Sequence, residues 1–363
     1  MIYTDITIIG GGPAGLCAAL SAASSGAKVI IIDRNKKIGG QLIKQTHMFF
    51  GSEKQYASKR GFDIAEILSK KLSEFTENIE IYLDTTALGI YEDGVITIEK
   101  KGEYNKIRSK SIIITTGASE KVLAFPNNDL PGIYGAGAVQ TLMNVYGVKP
   151  GKKVLMVGAG NIGLIVSYQL LQAGVEVSAI IDAAPRIGGY LVHASKLARM
   201  GVPIYTSYTI KEAIGKEYLE KAIIWKLDNN WKPIKGTEKI LEVDVMCISV
   251  GLSPLSELLF QAGCEMKYIT ELGGYVPVRD RTYETTKKGI FVAGDVAGVE
   301  EASSAMVEGY LAGLYAAKSI GYEHVNFNEL VEDYEKQLNS LRSGPIGEKI
   351  RIGIKKLIGG KVS

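Results

Sequence analysis

Two short glycine-rich motifs in this chain have the spacing that binds nucleotide phosphates. The first covers residues 10–15 and reads GGGPAG, and the second covers residues 158–163 and reads GAGNIG. In a GxGxxG motif the first glycine makes a tight turn, the second lets the backbone approach a pyrophosphate, and the third packs a helix closely on a strand. The pyrophosphate then accepts hydrogen bonds from N–H groups at the start of the helix. The two motifs predict two dinucleotide sites.

Each motif lies between a predicted buried strand and a predicted helix. The preceding runs are Ile6–Ile9 and Val154–Val157, whose apolar side chains are typical of parallel strands. A second predicted strand follows each helix and ends in an acid, Asp33 or Asp182, which can accept hydrogen bonds from an adenosine ribose. Because a carboxylate repels a 2′-phosphate, Asp182 favours NAD over NADP, although the nearby Arg186 leaves NADP open.

The two copies are similar beyond the glycine motifs. Each acid is followed at the same offset by Ile-Gly-Gly, at residues 38–40 and 187–189. This repetition indicates an internal duplication. An alternative to two working sites is that one copy is an empty relic of that duplication.

The runs at residues 112–118 and 245–251 each predict a buried strand that stops at a glycine, and they bracket the second motif. We therefore expect an α/β fold with two Rossmann-like domains, the second inserted in the first. The predicted first domain comprises residues 1–115 and 250–325, and the second comprises residues 116–249. We expect residues 326–363 to form a helical, basic tail.

A further predicted strand near residues 289–293 ends in Gly294-Asp295, and a helix rich in small residues is predicted from about 301 to 320. A carboxylate at a strand end can hold a polyol hydroxyl, and the following helix can direct its positive end at an electron-rich ring. Both features suit a flavin. The alternative is that Asp295 is the N-cap of an ordinary helix.

The composition fits an ordinary soluble protein. The chain of 363 residues is 46% hydrophobic and 22% charged, with a formal net charge of +3, which gives no reason to expect binding to nucleic acid. No apolar stretch reaches the roughly 18 to 20 residues of a membrane helix, and the first predicted strand begins too early for a signal peptide. We expect a cytoplasmic protein.

The cysteines predict neither a metal site nor a redox pair. The chain contains Cys17, Cys247 and Cys264, and none forms a CxxC motif. We expect no metal or iron–sulfur cluster from this chain alone. Buried hydrophobic positions are expected for Cys17 and Cys247.

The order and spacing of these motifs resemble the two-dinucleotide-binding-domain flavoproteins, in the thioredoxin-reductase-like arrangement, over about residues 3–320. The resemblance implies FAD at the first site and NAD, less readily NADP, at the second. The residues that it implies for FAD are Gly10, Gly12, Pro13, Ala14, Gly15, Asp33, Arg34, Gly40, Gln41, Thr116, Gly117, Gly294, Asp295, Ala302 and Ser303. Those assigned to the nicotinamide nucleotide and its surroundings are Gly158, Gly160, Asn161, Ile162, Gly163, Asp182 and Gly251.

The chain departs from thioredoxin reductases in one informative place. Those enzymes carry a CxxC shortly before the second motif, whereas residues 135–141 read GAGAVQT here, which excludes disulfide reduction. Residues 135–141, 193–203, 273–278 and 294–309 resemble a branch without CxxC. That branch contains the α subunits of sarcosine oxidase, of proline and hydroxyproline dehydrogenases, and of opine oxidase or hydrogen cyanide synthase.

This closer resemblance implies that the chain is one component of an amine or amino-acid dehydrogenase or oxidase acting on a small-molecule substrate. The implied partners are a second flavoprotein subunit together with an iron–sulfur subunit, since this chain has no cysteine module, or further copies of itself. The adenine nucleotide at the first site varies within the branch, so a nucleotide other than FAD stays open there. The alternatives are a stand-alone NAD(P)H reductase of ferredoxin or quinone, and a non-catalytic nucleotide-binding scaffold subunit.

Two further features carry weaker predictions. His47, six residues after Gln41, is a candidate acid or base near the flavin, and a structural histidine is the alternative. In the tail, basic residues from Lys349 to Lys361 alternate with isoleucine and leucine. Such a segment can dock on an acidic partner or a membrane surface, or it can pack on its own protein.

Overall fold

The computed structural model describes residues 1–358, apart from the side chains of residues 345 and 346. The chain divides into two compact units. The first unit comprises Met1–Ser119 and the chain from Ser253 onward, and the second comprises Glu120–Leu252. The C-terminal segment that follows residue 325 belongs to the first unit.

The first segment of the chain is dominated by strands. Its elements are β1 (Ile2–Ile9), α1 (Pro13–Ser24), β2 (Val29–Ile32), α2 (Gly61–Leu72), β3 (Ile79–Tyr82), β4 (Thr85–Ile90), β5 (Val95–Lys100), β6 (Glu103–Ile114) and β7 (Ala118–Glu120).

The second unit alternates strands and helices and then forms a strand meander. Its elements are β8 (Ile133–Gly135), α3 (Ala136–Tyr146), β9 (Lys153–Val157), α4 (Asn161–Gln172), β10 (Glu176–Asp182), α5 (Leu191–Arg199), β11 (Ile204–Thr206), β12 (Tyr208–Ile214), β13 (Lys221–Lys226), β14 (Lys239–Glu242) and β15 (Val245–Ile248).

The chain then returns to the first unit, and its described part ends in three helices. The elements are β16 (Leu252–Pro254), α6 (Glu257–Gln261), β17 (Met266–Ile269), β18 (Gly274–Pro277), β19 (Ile290–Val292), α7 (Ala302–Ser319), α8 (Phe327–Leu341) and α9 (Gly344–Ile358). At the two crossings between units, β7 pairs with β16.

The two units share one sheet plan. In the first, the strand order is β3-β2-β1-β6-β5-β4, and β19 also pairs with β6. In the second, the order is β11-β10-β9-β15-β8, with β12, β13 and β14 in a separate sheet. The pairs of β1 with β2 and β6, and of β9 with β10 and β15, are parallel. The strand before each glycine motif, β1 or β9, therefore lies between two parallel neighbours in the same order. The α/β fold with two Rossmann-like units is confirmed.

The register brings the carboxyl ends of several strands to one edge of each sheet. In the first unit Ile9 pairs with Ile114, which in turn pairs with Val292. In the second unit Val157 pairs with both Ile181 and Ile248. Ligands of such sheets bind outside the carboxyl ends of the strands, where the strand order reverses.

Helix α7 packs on α1 through glycines. A Cβ at Gly309 would lie 2.1 Å from the Ala14 carbonyl oxygen, and one at Gly313 would lie 2.3 Å from that of Ala18. Only glycine permits this separation of the two helix backbones. The two helices therefore run parallel, and the third turn of α7, at Gly309, packs against the start of α1.

Helix α9 packs its apolar side on the first unit. Leu357 is buried with Ile269, Leu272 and Val276, and Ile354 packs against them. Of the two alternatives for the tail, the structure shows packing on its own protein, while Lys361 lies outside the described residues. Within residues 1–358, the helices are too short or too polar to cross a membrane.

Candidate functional site

The first and third glycines of the first motif are required by backbone contacts. Gly10 has φ +111, and a Cβ there would lie 2.3 Å from the Thr115 carbonyl oxygen. A Cβ at Gly15 would lie 1.9 Å from the Gly10 carbonyl oxygen. The Thr115 hydroxyl donates to the carbonyl oxygens of Ile9 and Gly10, at 3.1 and 2.8 Å. The turn is therefore fixed by β1, α1 and the residue that follows β6.

The second glycine has a different environment. A Cβ at Gly12 would have Gly40 Cα as its nearest neighbour, 3.9 Å away, so the space in front of it is open. Gly12 is the N-cap of α1 and Pro13 follows it, with no side chain capping the helix. The N–H groups at this helix end therefore face a space that an anionic ligand can enter.

Asp33 at the end of β2 is 6% exposed and is held by backbone donors. Its Oδ2 accepts from the Gly11 N–H at 2.7 Å, and its Oδ1 accepts from the Asn35 N–H at 2.7 Å. The side-chain amide of Asn35 also donates to Oδ1 at 2.9 Å. The carboxylate thus lies directly beside the glycine turn.

The turn from β19 to α7 lies beside the first glycine motif. A Cβ at Gly294, where φ is +75, would lie 2.9 Å from the Ala14 Cβ. The Asp295 Oδ1 accepts from the Glu300 N–H at 3.3 Å. Burial raises the pKa of Asp295 to about 7, and the carboxylates of Glu300 and Glu308 add to the increase. Glu301, not Asp295, is the N-cap of α7 and makes no side-chain cap, so the N-cap alternative for Asp295 is not observed.

The second motif repeats the three glycine environments. Gly158 has φ +113, and its Cβ would lie 2.1 Å from the Ser249 carbonyl oxygen. A Cβ at Gly163 would lie 2.1 Å from the Gly158 carbonyl oxygen, whereas one at Gly160 would have no atom within 4 Å. Gly160 is the N-cap of α4, again without a side-chain cap. In both units, therefore, backbone atoms crowd the first and third glycines, and open space faces the second.

Asp182 occupies the position equivalent to Asp33. Its Oδ2 accepts from the Ala159 N–H at 2.7 Å, and its Oδ1 accepts from the Ala184 N–H at 2.8 Å. Arg186, four residues later, is exposed. The Asn161 Oδ1 accepts from the Tyr190 N–H at 2.8 Å, which ties the start of α4 to the loop that contains the second Ile-Gly-Gly.

The Ile-Gly-Gly segments have related structural roles. The Gly39 N–H donates to the Gly11 carbonyl oxygen at 2.7 Å, and the Gly189 N–H donates to that of Ala159 at 2.9 Å. A Cβ at Gly40 would lie 2.8 Å from Gly12 Cα. In both units this segment therefore closes over the glycine motif, which is why small residues recur there.

Some predicted site residues lie further from these turns or face solvent. Thr116 donates its hydroxyl to the Leu255 carbonyl oxygen at 2.7 Å, and it is Thr115 that contacts the glycine turn. Arg34, Gln41 and Ile162 are exposed. Of the remaining predicted residues, Gly117 lies shortly after β6 and Gly251 shortly after β15. Ala302 and Ser303 are the first two residues of α7.

Sequence reasoning missed two residues of the glycine turns. Thr115 and Ser249 each follow the strand that pairs with the motif strand, and their N–H groups donate to Ile9 and Val157 at 2.9 and 2.7 Å. Both are small hydroxyl residues at equivalent places in the duplicated units. Alignment of the two copies beyond their glycines would have identified them.

Three other features bear on chemistry. His47 is partly buried and stacks on Phe49, with ring centroids 5.7 Å apart. Cys17, Cys247 and Cys264 are all free and buried. Burial raises the pKa of Cys17 to about 12, which suppresses its thiolate. In the described part of the chain, no group of acidic, histidine or cysteine side chains could hold a metal ion.

Comparison with known proteins identifies relatives of the whole two-unit arrangement. A family model described as pyridine nucleotide-disulphide oxidoreductase matches residues 4–309. One relative, a subunit of opine oxidase from Agrobacterium tumefaciens (strain Ach5), is 28% identical over 86% of this chain and 65% of its own length. The chain spans between 33% and 65% of the length of the first curated relatives that it matches.

Solved structures show the same fold. The crystal structure of L-proline dehydrogenase from P. horikoshii matches 93% of this chain and 59% of its own chain, with 27% identity and a TM-score of 0.72. That of T. acidophilum thioredoxin reductase matches 88% of this chain and 99% of its own, with 23% identity and a TM-score of 0.72. The expected similarity to these groups of proteins is confirmed.

Proposed function

Because the chain belongs to the pyridine nucleotide-disulphide oxidoreductase family, we propose that it transfers hydride between NAD(H) and a bound FAD. That the chain is an oxidoreductase follows from the family and its relatives. The observation that carries the proposal is the repeated glycine pattern. In each unit, backbone crowding surrounds the first and third glycines, and open space faces the second.

We assign FAD to the first unit because α1 and α7 run parallel there, with Gly309 on Ala14 and Gly313 on Ala18, so that both helices start towards the same edge of the sheet. The starts of α1 and α7 would supply N–H groups for pyrophosphate and for the flavin ring system. Asp33 would hold the adenosine ribose, and Asp295 would hold a hydroxyl of the ribityl chain. A protonated or ionised Asp295 can serve, since a hydroxyl both donates and accepts.

We assign the nicotinamide nucleotide to the second unit. The start of α4 would hold its pyrophosphate, and Asp182 would hold its adenosine ribose. A 2′-phosphate beside that carboxylate would be repelled, which supports NAD over NADP. The exposed Arg186 is the feature that would offset this preference.

The cofactors supply the hydride chemistry, and the chain's own residues bind and orient them. This division of roles agrees with the burial of all three cysteines, which keeps their thiols away from a bound substrate. His47 stays a candidate for proton transfer. Its stacking on Phe49 is equally compatible with a structural role.

The chain's relatives support a place in a larger enzyme. One of them is named as part of opine oxidase, and one solved relative is an L-proline dehydrogenase. We therefore propose that this chain is the α-type subunit of an amine or amino-acid dehydrogenase or oxidase, with sarcosine-like or proline-like substrates. The proposed partners are a second flavoprotein subunit and, where a cluster is needed, an iron–sulfur subunit.

Equilibrium binding tests the cofactor assignment. We expect the purified chain to bind one FAD, detected by quenching of flavin fluorescence, and to bind NADH in addition when FAD is saturating. Gly160→Ala should weaken NADH binding only, because its methyl group fills open space in the second unit. Competition between FAD and NADH for one site would contradict the assignment.

A second candidate function is that of an NAD(P)H reductase of ferredoxin or quinone that acts without other subunits. The three cysteines are free and buried, so electrons from the flavin would pass to an acceptor outside this chain in either function. NADH oxidation by the isolated chain with either acceptor would favour this function over a role within a larger enzyme. If FAD and NADH bind without electron transfer between them, the chain is a nucleotide-binding scaffold.

A further inference from the structure

A cluster of buried charges lies behind the turn that joins β19 to α7. Arg342 follows α8 and donates to both Glu300 carboxylate oxygens, at 3.0 Å from Nε and 2.6 Å from Nη2. Its Nη2 also donates to Glu308 Oε1 at 2.6 Å. Arg279 reaches the same Glu308 oxygen at 3.2 Å. The exposed fraction of these four side chains is between 5% and 11%.

The cluster is connected directly to the turn. The other Glu308 oxygen accepts from the Gly294 N–H at 3.0 Å, and the Glu300 N–H donates to Asp295 at 3.3 Å. Both ends of the segment from Gly294 to Glu300 are therefore held by residues that contact Arg342. Asp295 itself lies between them.

The charges in the cluster balance only when Arg342 is present. Two guanidinium groups face the carboxylates of Glu300 and Glu308, and of these two carboxylates Arg279 pairs with that of Glu308. Without Arg342, Glu300 would be a buried carboxylate with no cation, close to Asp295. Removing one partner of a buried ion pair leaves an uncompensated charge, which the structure relieves by moving or by admitting water.

Arg342 comes from a part of the chain that the family model does not cover, since that match ends at residue 309. The preceding helix, α8, also contacts the loop after the first Ile-Gly-Gly. Lys54 Nζ lies 2.6 Å from Asp333 Oδ1, and the amides of Gln55 and Gln337 are hydrogen bonded. The C-terminal segment therefore contacts both the loop at Lys54 and Gln55 and the turn from β19 to α7.

We propose that Arg342 is a positioning residue for the flavin site, which holds the turn from Gly294 to Glu301 in the shape that presents Asp295 and the start of α7. The ligand in question is the FAD of the proposed function, and the inference rests on that assignment. A C-terminal helix outside the common family region would thus complete the site.

Four variants separate this role from general stability. Arg342→Met removes the cation, and Arg342→Lys keeps one charge but loses the bidentate contact. The double variant R342M/E300Q removes a positive and a negative charge together. Lys336→Met is the matched control, because it breaks the exposed pair of Lys336 with Glu332 on the neighbouring helix α8.

The measurements are the dissociation constant for FAD and amide hydrogen exchange of residues 294–301 in the flavin-free chain. We expect Arg342→Met to weaken FAD binding at least tenfold and to speed exchange at 294–301. The FAD affinity and the exchange rate of Arg342→Lys should lie between those of Arg342→Met and those of the unchanged chain. R342M/E300Q should regain a large part of the FAD affinity that Arg342→Met loses. Lys336→Met should match the unchanged chain, and NADH binding should be the same in all.

Unchanged FAD binding and unchanged exchange in Arg342→Met would overturn the proposal. So would an equal loss of FAD and NADH binding in Arg342→Met and R342M/E300Q, because that result indicates a global effect. If the unchanged chain binds no FAD, the proposed function fails, while faster exchange confined to residues 294–301 in Arg342→Met would still support the positioning role.

Discussion

Replacement of the second and third glycines of the first motif should separate ligand contact from folding. In Gly12→Ala the new methyl group lies 3.9 Å from its nearest neighbour, and φ is −79, which alanine adopts freely. In Gly15→Ala the methyl group would lie 1.9 Å from the Gly10 carbonyl oxygen. The first change fills the space reserved for a ligand, and the second forces α1 away from β1.

The expected effect of Gly12→Ala on the free energy of unfolding is small. Alanine is a poorer N-cap than glycine by up to about 1 kcal/mol. It also lowers the conformational entropy of the unfolded chain, which stabilises the folded state by about 0.4–1 kcal/mol. The effect on FAD is larger. Overpacking costs about 1–3 kcal/mol and a lost hydrogen bond to a charged group about 1.5–3 kcal/mol. A total near 3 kcal/mol corresponds to about 100-fold weaker binding.

Gly15→Ala should instead destabilise the chain without its ligands. Overpacking against a backbone oxygen costs about 1–3 kcal/mol or more, and each kcal/mol lowers Tm by about 2–4 °C in a domain of 150–250 residues. Calorimetry of the flavin-free variants and fluorescence titration with FAD measure the two effects separately. NADH binding is the internal control for the second unit.

If Gly12→Ala binds FAD as tightly as the unchanged chain, the second glycine does not face the ligand. If Gly12→Ala lowers Tm as much as Gly15→Ala, the space at the second glycine is not open, and either result contradicts the prediction. The pair Gly160→Ala and Gly163→Ala repeats the test in the second unit, with NADH as the ligand. The structure predicts the same contrast there, since the glycine environments are the same.

Three further predictions follow from the environments of titratable groups. Because burial raises the pKa of Cys17 to about 12 and the other cysteines are also buried, a chromogenic thiol reagent should label no thiol in the native chain and all 3 after unfolding in urea. Burial raises the pKa of Asp295 to about 7, so its contribution to stability is present below about pH 4 and is lost as the pH rises through about 7. Urea unfolding of the flavin-free chain should show this decline, at most about 4 kcal/mol from Asp295, and Asp295→Asn should make it smaller, while the buried Glu300, whose pKa burial also raises, keeps part of it; an equal decline in the variant would contradict the assignment. NADH should bind at least about tenfold more tightly than NADPH, a difference of about 1.4 kcal/mol, because of the Asp182 carboxylate, and Arg186→Ala should widen the gap; a preference for NADPH would refute this.

The core of each unit could be predicted because its signal is continuous in the sequence. The run Val29–Ile32 predicts a strand with the bounds that β2 has, since all four side chains are buried. The helix expected from about 301 to 320 is α7, Ala302–Ser319. A short apolar run that ends at a glycine or an acid predicts a buried strand with well-defined ends.

Other features depend on partners that are distant in the chain. Strand β6 begins at Glu103, well before the predicted residue 112, because its first half is an exposed antiparallel partner of β5 and carries charged side chains. The contact of Thr115, instead of Thr116, with the glycine turn is set by the pairing of Ile9 with Ile114. The ion pairs of Arg342 bridge 34 to 42 residues of sequence. No local pattern signals such pairings.

We propose that one chain binds a flavin and a nicotinamide nucleotide and passes electrons between them. The visible absorption spectrum of the purified chain, reconstituted with FAD, before and after anaerobic addition of NADH, tests this most directly. We expect a flavin band that is bleached by NADH. A chain that stays colourless after reconstitution, or a flavin band that NADH leaves unchanged, would contradict the claim.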